Sequence, residues 1–187
     1  MTVDAFKSFS KKQLILLNWW TDSSPYKNRD AIICDGSVRS GKTVCMFLSF
    51  IFWAFYMFSD SSFAVCGKTI TSLRRNIITP MLPMLRSLGF TYEELVSKNM
   101  IIIKKDGREN RFYIFGGKDE GSAALIQGMT LSGVMLDETA LMPRSFCEQA
   151  IARCSVDNSR LWFNCNPENP AHWFYTCLLY TSDAADE

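Results

Sequence analysis

A chain of 187 residues is long enough for one well-packed domain and too short for two comfortable ones. Hydrophobic residues make up 48% and charged residues 21%, an ordinary globular balance, and a net charge of +1 supplies no overall field that would hold nucleic acid. Seven cysteines without a C-x-x-C pair, most of them in apolar stretches, together with a lone His172, exclude a histidine-rich metal site, argue against zinc and fit a reducing cytosol.

The first element is a helix over Phe6 to Trp20, where Leu14, Leu17 and Trp20 recur at three-residue spacing and Ser8 or Ser10 offers a cap. Asp4 and Lys7 among the first residues rule out a signal peptide. Gln13 on this helix has two readings, a solvated helix glutamine or a residue that reads the edge of an adenine. Thr21 to Asp30 is polar, contains Pro25 and reads as a loop.

Ala31-Ile32-Ile33-Cys34 is a short apolar strand, and Gly36-Ser37-Val38-Arg39-Ser40-Gly41-Lys42-Thr43 follows it. That stretch fits G-x-x-x-x-G-K-S/T, the phosphate-cradling loop of nucleoside-triphosphatases, and a long helix follows it as the chemistry requires. Gly36 and Gly41 let the backbone curl so that N–H groups, including those of Ser37 and Ser40, point at phosphate oxygens, aided by the positive end of the helix dipole. Lys42 reaches the β- and γ-phosphates, and the Thr43 hydroxyl ligates Mg²⁺. Val44 to Phe58 carries no charge. It is shorter than the roughly 20 residues of a membrane span. A helix buried by a sheet and its neighbours accounts for it.

Phe63 to Cys66 is a second apolar strand. Ile70 to Leu88 is one helix or two, interrupted by Pro80 and Pro83. Met100 to Ile103 and Arg111 to Phe115 flank Asp106-Gly107 as a hairpin closed by Gly116-Gly117. Its Lys104, Lys105, Arg108 and Arg111 are a solvated face by default, with DNA contact as the alternative. Asp119 to Ile126 reads as a short helix closed by Gly128. Val134 to Leu136 is an apolar strand that delivers Asp137 and Glu138 to the sheet edge beside the phosphate loop. There Asp137 holds the Mg²⁺ hydration shell and Glu138 activates or orients the attacking water. Arg144 to Cys154 is helical, and Arg160 to Asn164 is a fourth parallel strand ending in Asn164-Cys165-Asn166-Pro167. A polar group at that strand tip can touch the γ-phosphate, or the segment is a plain Asn-Pro turn.

The combination of GSVRSGKT, VMLDE and NCNPENPAHWFY resembles the ATPase domain of phage large terminase subunits, the motors that drive DNA into procapsids. The likeness runs from Lys11 to Tyr175. It implies a RecA-like P-loop α/β domain, with a mainly parallel sheet flanked by helices and one antiparallel hairpin, and the cofactors ATP and Mg²⁺. It further implies that Arg39 contacts the γ-phosphate, that Glu138 is the catalytic carboxylate and that Asn166 couples phosphate loss to movement. The implied partners are double-stranded viral DNA, the portal of the procapsid, the small terminase subunit and further copies in a homo-oligomeric ring. No membrane is involved, and the implied setting is the host cytoplasm during virion assembly.

The sequence departs from that pattern in two places. Gln127 stands before Gly128, where many family members carry a basic residue that serves a neighbouring subunit. No RNase H-like nuclease domain follows, so residues 1–176 read as the ATPase domain. The segment 177–187 resembles a non-native or frame-shifted tail. A RecA-like helicase, a small-molecule kinase and a truncated nucleotide-binding remnant are the rival readings.

Overall fold

The structure is a computed structural model that describes residues 9–35, 41–165 and 173–174. Helix α1 (Lys11–Asn18) starts where Ser10 caps it. Ser10 Oγ accepts the Gln13 N–H at 3.3 Å, and Gln13 Oε1 accepts the Ser10 N–H at 2.8 Å. This reciprocal pair satisfies two backbone donors at once. Strand β1 (Ala31–Asp35), helix α2 (Lys42–Met57) and strand β2 (Ser61–Gly67) follow. A short α3 (Ile70–Leu73) continues through a π-helical turn (Arg74–Ile78) into α4 (Thr79–Ser87). Pro80 falls at the start of α4, directly after the π-helical turn, while Pro83 lies inside it. Strands β3 (Thr91–Leu95), β4 (Met100–Lys105), β5 (Arg108–Gly116) and β6 (Gly133–Leu136) lead to α5 (Arg144–Ala152) and β7 (Arg160–Cys165).

Among the described residues the strands form one seven-stranded sheet in the order β1-β7-β6-β2-β5-β4-β3. Neighbours from β1 through β5 run parallel, whereas β4 and β3 are antiparallel. The α/β fold is thus the expected one, with two refinements. β5 is both the second arm of the Asp106-Gly107 hairpin and a parallel partner of β2 along its length, from Ser61↔Asn110 to Gly67↔Gly116. β3 has no strand signal in the sequence, because Thr91-Tyr92-Glu93-Glu94-Leu95 lacks an apolar face, and its two glutamates suit an exposed edge that must not pair with another chain. The Asp119 to Ile126 segment is a 3₁₀ turn (Glu120–Leu125), and Gly128 closes it with φ of +84°.

Helix α2 is the centre of the core. From Cys45 to Phe55 every residue but Phe52 is buried. Phe50 and Trp53 lie 6.0 Å apart and meet Phe63, Phe112 and Trp162 ring to ring at centroid distances of 4.8–5.9 Å, within the range of favourable aromatic pairing. Gly133 permits this approach, since a Cβ there would lie 2.6 Å from Trp53 Cζ3. The one polar residue in the buried run is Ser49. Its Oγ accepts indole N–H groups from Trp20 and Trp162, each at 3.2 Å, and donates to the Leu17 carbonyl at 3.4 Å. One hydroxyl therefore ties α1, α2 and β7 together.

The far end of α2 is closed from β5. Arg108 Nη1 donates to the carbonyls of Phe55 and Tyr56 at 2.7 and 2.9 Å, and Asn110 Nδ2 reaches those of Ala54 and Phe58. The Phe55 and Tyr56 carbonyls are among those that a helix C-terminus leaves without intrahelical partners, whereas that of Ala54 also accepts the Phe58 N–H at 3.0 Å. The other hairpin cations are also engaged within the fold: Lys104 with Glu109 at 2.8 Å, Lys105 with the Leu88 carbonyl at 2.8 Å, and Arg111 with Asp60 at 2.7 Å. The hairpin's charge serves the fold. Among the described residues no helix is long and apolar enough to cross a membrane.

Ser49→Ala is expected to strand two indole N–H groups, one of them fully buried, at a cost of about 2–4 kcal/mol by the usual penalty for an unmade buried bond. Denaturant unfolding measures it. A change below about 0.5 kcal/mol, the scale of an uninvolved surface site, would contradict the role given to this hydroxyl.

Candidate nucleotide site

Three neighbouring strands end side by side at one edge of the sheet: β1, which leads into the phosphate loop, β7, and β6, which carries the acids. Residues Gly36, Ser37, Arg39 and Ser40, and likewise Asn166, lie outside the described residues. The other expected site residues, Gln13, Gly41, Lys42, Thr43, Asp137 and Glu138, are described and stand around this edge.

Gly41 is the N-cap of α2 with φ of +76°, a left-handed conformation that favours glycine. A Cβ at this position would lie 3.0 Å from Gln13 Nε2. The capping bond to Ser10 holds Gln13 Oε1, so its Nε2 is the end turned toward Gly41. Gln13 thus caps its own helix and also borders the loop. It lies at the wall of a cavity of about 430 Å³ lined by Gln13, Ile15, Ile32, Ile33, Cys34 and Lys42, among others. A mostly apolar cavity of that size with a few polar groups suits a purine base. Lys42 and Thr43 occupy the first turn of α2, where the backbone N–H groups and the dipole favour an anion.

Opposite them, the chain leaves β6 through Asp137, 8% exposed, and Glu138, which is exposed. Glu138 adopts φ 53° and ψ 46°, a conformation uncommon for a residue with a side chain and frequent where a fold redirects one. The two adjacent acids thereby face different surroundings. Thr139, fully buried, anchors the turn: its Oγ1 lies 3.2 Å from the Leu136 carbonyl and 3.1 Å from the Asn164 carbonyl. Nothing in the sequence distinguishes this threonine from any other, and sequence reasoning misses it.

Asn164, the penultimate residue of β7, joins the two halves of the site. Its Nδ2 donates to Thr43 Oγ1 at 3.1 Å and to Asp137 Oδ1 at 2.6 Å. The strand tip is therefore more than a turn. A hydroxyl and a carboxylate converge on one nitrogen, and hard oxygen donors of this kind fit Mg²⁺, which keeps few protein ligands and takes the remainder from phosphate and water. Burial pushes the Asp137 carboxyl up to about 6, the Asn164 bond opposing this and the neighbouring Glu138 charge adding to it. Lys42 is close enough to lower it slightly, and so lies in the field of the same carboxylate.

A family model described as terminase large subunit, T4likevirus-type, N-terminal matches residues 33–185. The chain belongs to the large terminase family. The large terminase of a thermophilic bacteriophage has a solved structure 52% identical to this terminase chain over 95% of its length, with a TM-score of 0.90. A structure of the same phage protein with ADP is 50% identical over 94% of this chain, also with a TM-score of 0.90. Another, with ATP-γ-S, is 49% identical over 95% with a TM-score of 0.88. This chain spans 43–44% of the length of those three chains. The ATPase domain of the Thermus phage P74-26 large terminase shares the fold at 16% identity and a TM-score of 0.66, across 92% of this chain and 70% of that one. No curated protein matches.

Asp137→Asn tests the electrostatics of the site without nucleotide. A carboxyl at 3.8 when unfolded and about 6 when folded contributes stability that is complete below pH 4 and lost as pH rises through 6. At neutral pH the asparagine variant, whose amide oxygen still accepts from Asn164, is expected to be more stable than the parent by roughly 2–3 kcal/mol, at 1.36 kcal/mol per pKa unit. The gap should close below pH 4. Equal unfolding curves at pH 7.5 would contradict the buried, unfavourable charge.

Proposed function

We propose that this chain is the ATP-hydrolysing module of a large terminase, and that it couples hydrolysis to translocation of double-stranded viral DNA into a procapsid. The observation that carries the reading is the joining of Thr43, on the helix that follows the phosphate loop, to Asp137, at the end of the acid-bearing strand, through Asn164. The complexes of the thermophilic-phage protein with ADP and ATP-γ-S support nucleotide binding by this fold. Residues 1–176 form the ATPase domain in this reading. The phosphate loop, Gly36, Ser37, Ser40 and Gly41 with Lys42, holds the phosphates. Thr43 and Asp137 hold Mg²⁺, which when bound neutralises charge developing on the phosphoryl oxygens. The cavity beside Gln13 takes the adenine.

Glu138 positions the attacking water, its side chain exposed next to the buried metal ligand. Arg39 contacts the γ-phosphate, and Asn166 passes the loss of that phosphate to the DNA-moving parts. An arginine acting on the transition state is worth roughly 10³–10⁵ in rate. A second one can come from a neighbouring copy in a ring on the portal. Arg74 and Arg144 are each in an ion pair, with Glu94 at 3.1 Å and with Glu148 at 2.6 Å, and Arg74 is the more enclosed, its side chain 19% exposed, whereas Arg75 is exposed. Portal, small subunit, DNA and further copies are the partners of this reading, in the host cytoplasm.

Two variants test the assignment of roles. Lys42→Ala should fold and lose measurable ATP binding, since a charged hydrogen-bond donor to phosphate is worth about 1.5–3 kcal/mol and several phosphate charges are involved. Glu138→Gln should bind Mg·ATP close to the parent affinity and lose hydrolysis. Near-parent turnover by Glu138→Gln would show that another group serves the water. For the ring, specific ATPase activity should rise steeply with protein concentration or on adding procapsid and DNA. Activity that is flat and already fast in dilute solution would mean that Arg39 suffices within one chain.

A further inference from the structure

Glu138 is exposed, and among the described residues its carboxylate makes no hydrogen bond or ion pair. A carboxylate that orders one water against one phosphorus has to stand in one place, since small misplacements cost large factors in rate. Without a partner for the side chain, that place is set by the backbone. The backbone is left-handed, with φ 53° and ψ 46°, which a residue bearing a Cβ keeps only where its neighbours impose it.

On the N-terminal side of Glu138, the Asp137 N–H donates to the Cys66 carbonyl at 2.8 Å and ties the chain to β2. On the other side, the Leu141 N–H donates to the Glu138 carbonyl at 2.9 Å and the Met142 N–H to the Thr139 carbonyl at 3.2 Å, bonds internal to the turn. The Thr139 side chain acts differently. It is fully buried, and its one hydroxyl hydrogen is shared between the Leu136 carbonyl at 3.2 Å and the Asn164 carbonyl at 3.1 Å. The β6–β7 register ends at Leu136↔Phe163, so the Asn164 carbonyl lies one residue past the last pair. The hydroxyl carries the contact between these strands around the bend at Glu138. Among the described residues, no other hydrogen bond made by Glu138 or Thr139 reaches a different strand.

We propose that Thr139 is a positioning residue for hydrolysis: its hydroxyl fixes the left-handed turn to β7 so that the Glu138 carboxylate meets the attacking water, a step that rests on the role given to Glu138 above. Being fully buried, Thr139 touches neither nucleotide nor metal. The groups assigned to hold Mg·ATP are set by other bonds. Lys42 and Thr43 belong to the first turn of α2, and the Asp137 carboxylate accepts from Asn164 Nδ2 at 2.6 Å. Removing the hydroxyl therefore acts on turnover and spares binding.

Thr139→Val keeps the shape of the side chain and removes the donor. With saturating Mg·ATP and equal protein concentrations, kcat should fall by roughly tenfold or more while the affinity for Mg·ATP-γ-S stays within about twofold of the parent. Thr139→Ser, which restores the donor, should recover most of the lost rate. The same substitution is then made in a Glu138→Ala background, where there is no carboxylate left to position. There Thr139→Val should leave the residual hydrolysis unchanged, because the two residues act as one unit. A further loss in that background would mean a general loosening of the site and would overturn the proposal. So would a valine variant with kcat within about twofold of the parent, or one whose nucleotide affinity falls in step with kcat. If Thr139→Val does not fold, Thr139→Cys, whose thiol is a weak donor, enters the same comparisons. Near-parent turnover by Glu138→Ala alone overturns the role of Glu138 itself, an outcome distinct from failure of the Thr139 step.

Discussion

The constraint on which this structure depends is the burial of a helix that carries no charge beyond its first residue and whose first turn must stay open to an anion. Helix α2 carries Lys42 and Thr43 at its start and then sinks into the core from Cys45 to Phe55, with Phe50, Ile51, Trp53 and Ala54 fully buried. An isolated helix of this length is marginal in water, so its stability comes from packing rather than propensity. Packing on the sheet, the ring contacts of Phe50 and Trp53, the Ser49 hydroxyl and the cap from Arg108 and Asn110 together fix its axis. Lys42 and Thr43 inherit that fixity. A phosphate site requires donors held in place before the ligand arrives, and this helix provides them at its exposed end.

The sheet order supplies the second half of the site. Because β7 lies between β1 and β6, a residue near the end of β7 is within reach of both the loop that follows β1 and the acids that follow β6. Asn164 uses that position to contact Thr43 and Asp137 together. The arrangement is unfavourable for the empty protein, since burial raises the Asp137 carboxyl to about 6 and its ionisation at neutral pH opposes folding. A cation would reverse that preference. Such opposition between apo stability and readiness for a ligand is common at functional sites.

Much of this was legible in the sequence because the signals were local. G-x-x-x-x-G-K-T set between an apolar strand and an apolar run placed Lys42 and Thr43, and an apolar strand ending in two acids placed Asp137 and Glu138. What stayed hidden depends on tertiary placement. Strand β3 carries no alternating apolar pattern and exists by pairing with β4. The hairpin cations gave no sign of their partners, and Arg108 reaches carbonyls of a helix more than fifty residues earlier in the chain. The split duty of Gln13, cap and loop neighbour, needed the position of Gly41. Asn164 stood out only as a polar strand tip, and Thr139 not at all, because their meaning lies in which strands adjoin.

The most direct test of the central claim, that nucleotide and metal sit where β1, β7 and β6 end against the start of α2, is hydrogen exchange with and without Mg·ATP-γ-S. Binding there should slow exchange in the first turn of α2, from Gly41 to Met46, and in the Asp137 to Leu141 turn. The β3–β4–β5 hairpin, residues 91–110, should exchange at an unchanged rate. Protection confined to the hairpin, or none at the two named segments under conditions where the nucleotide is bound, would contradict the account.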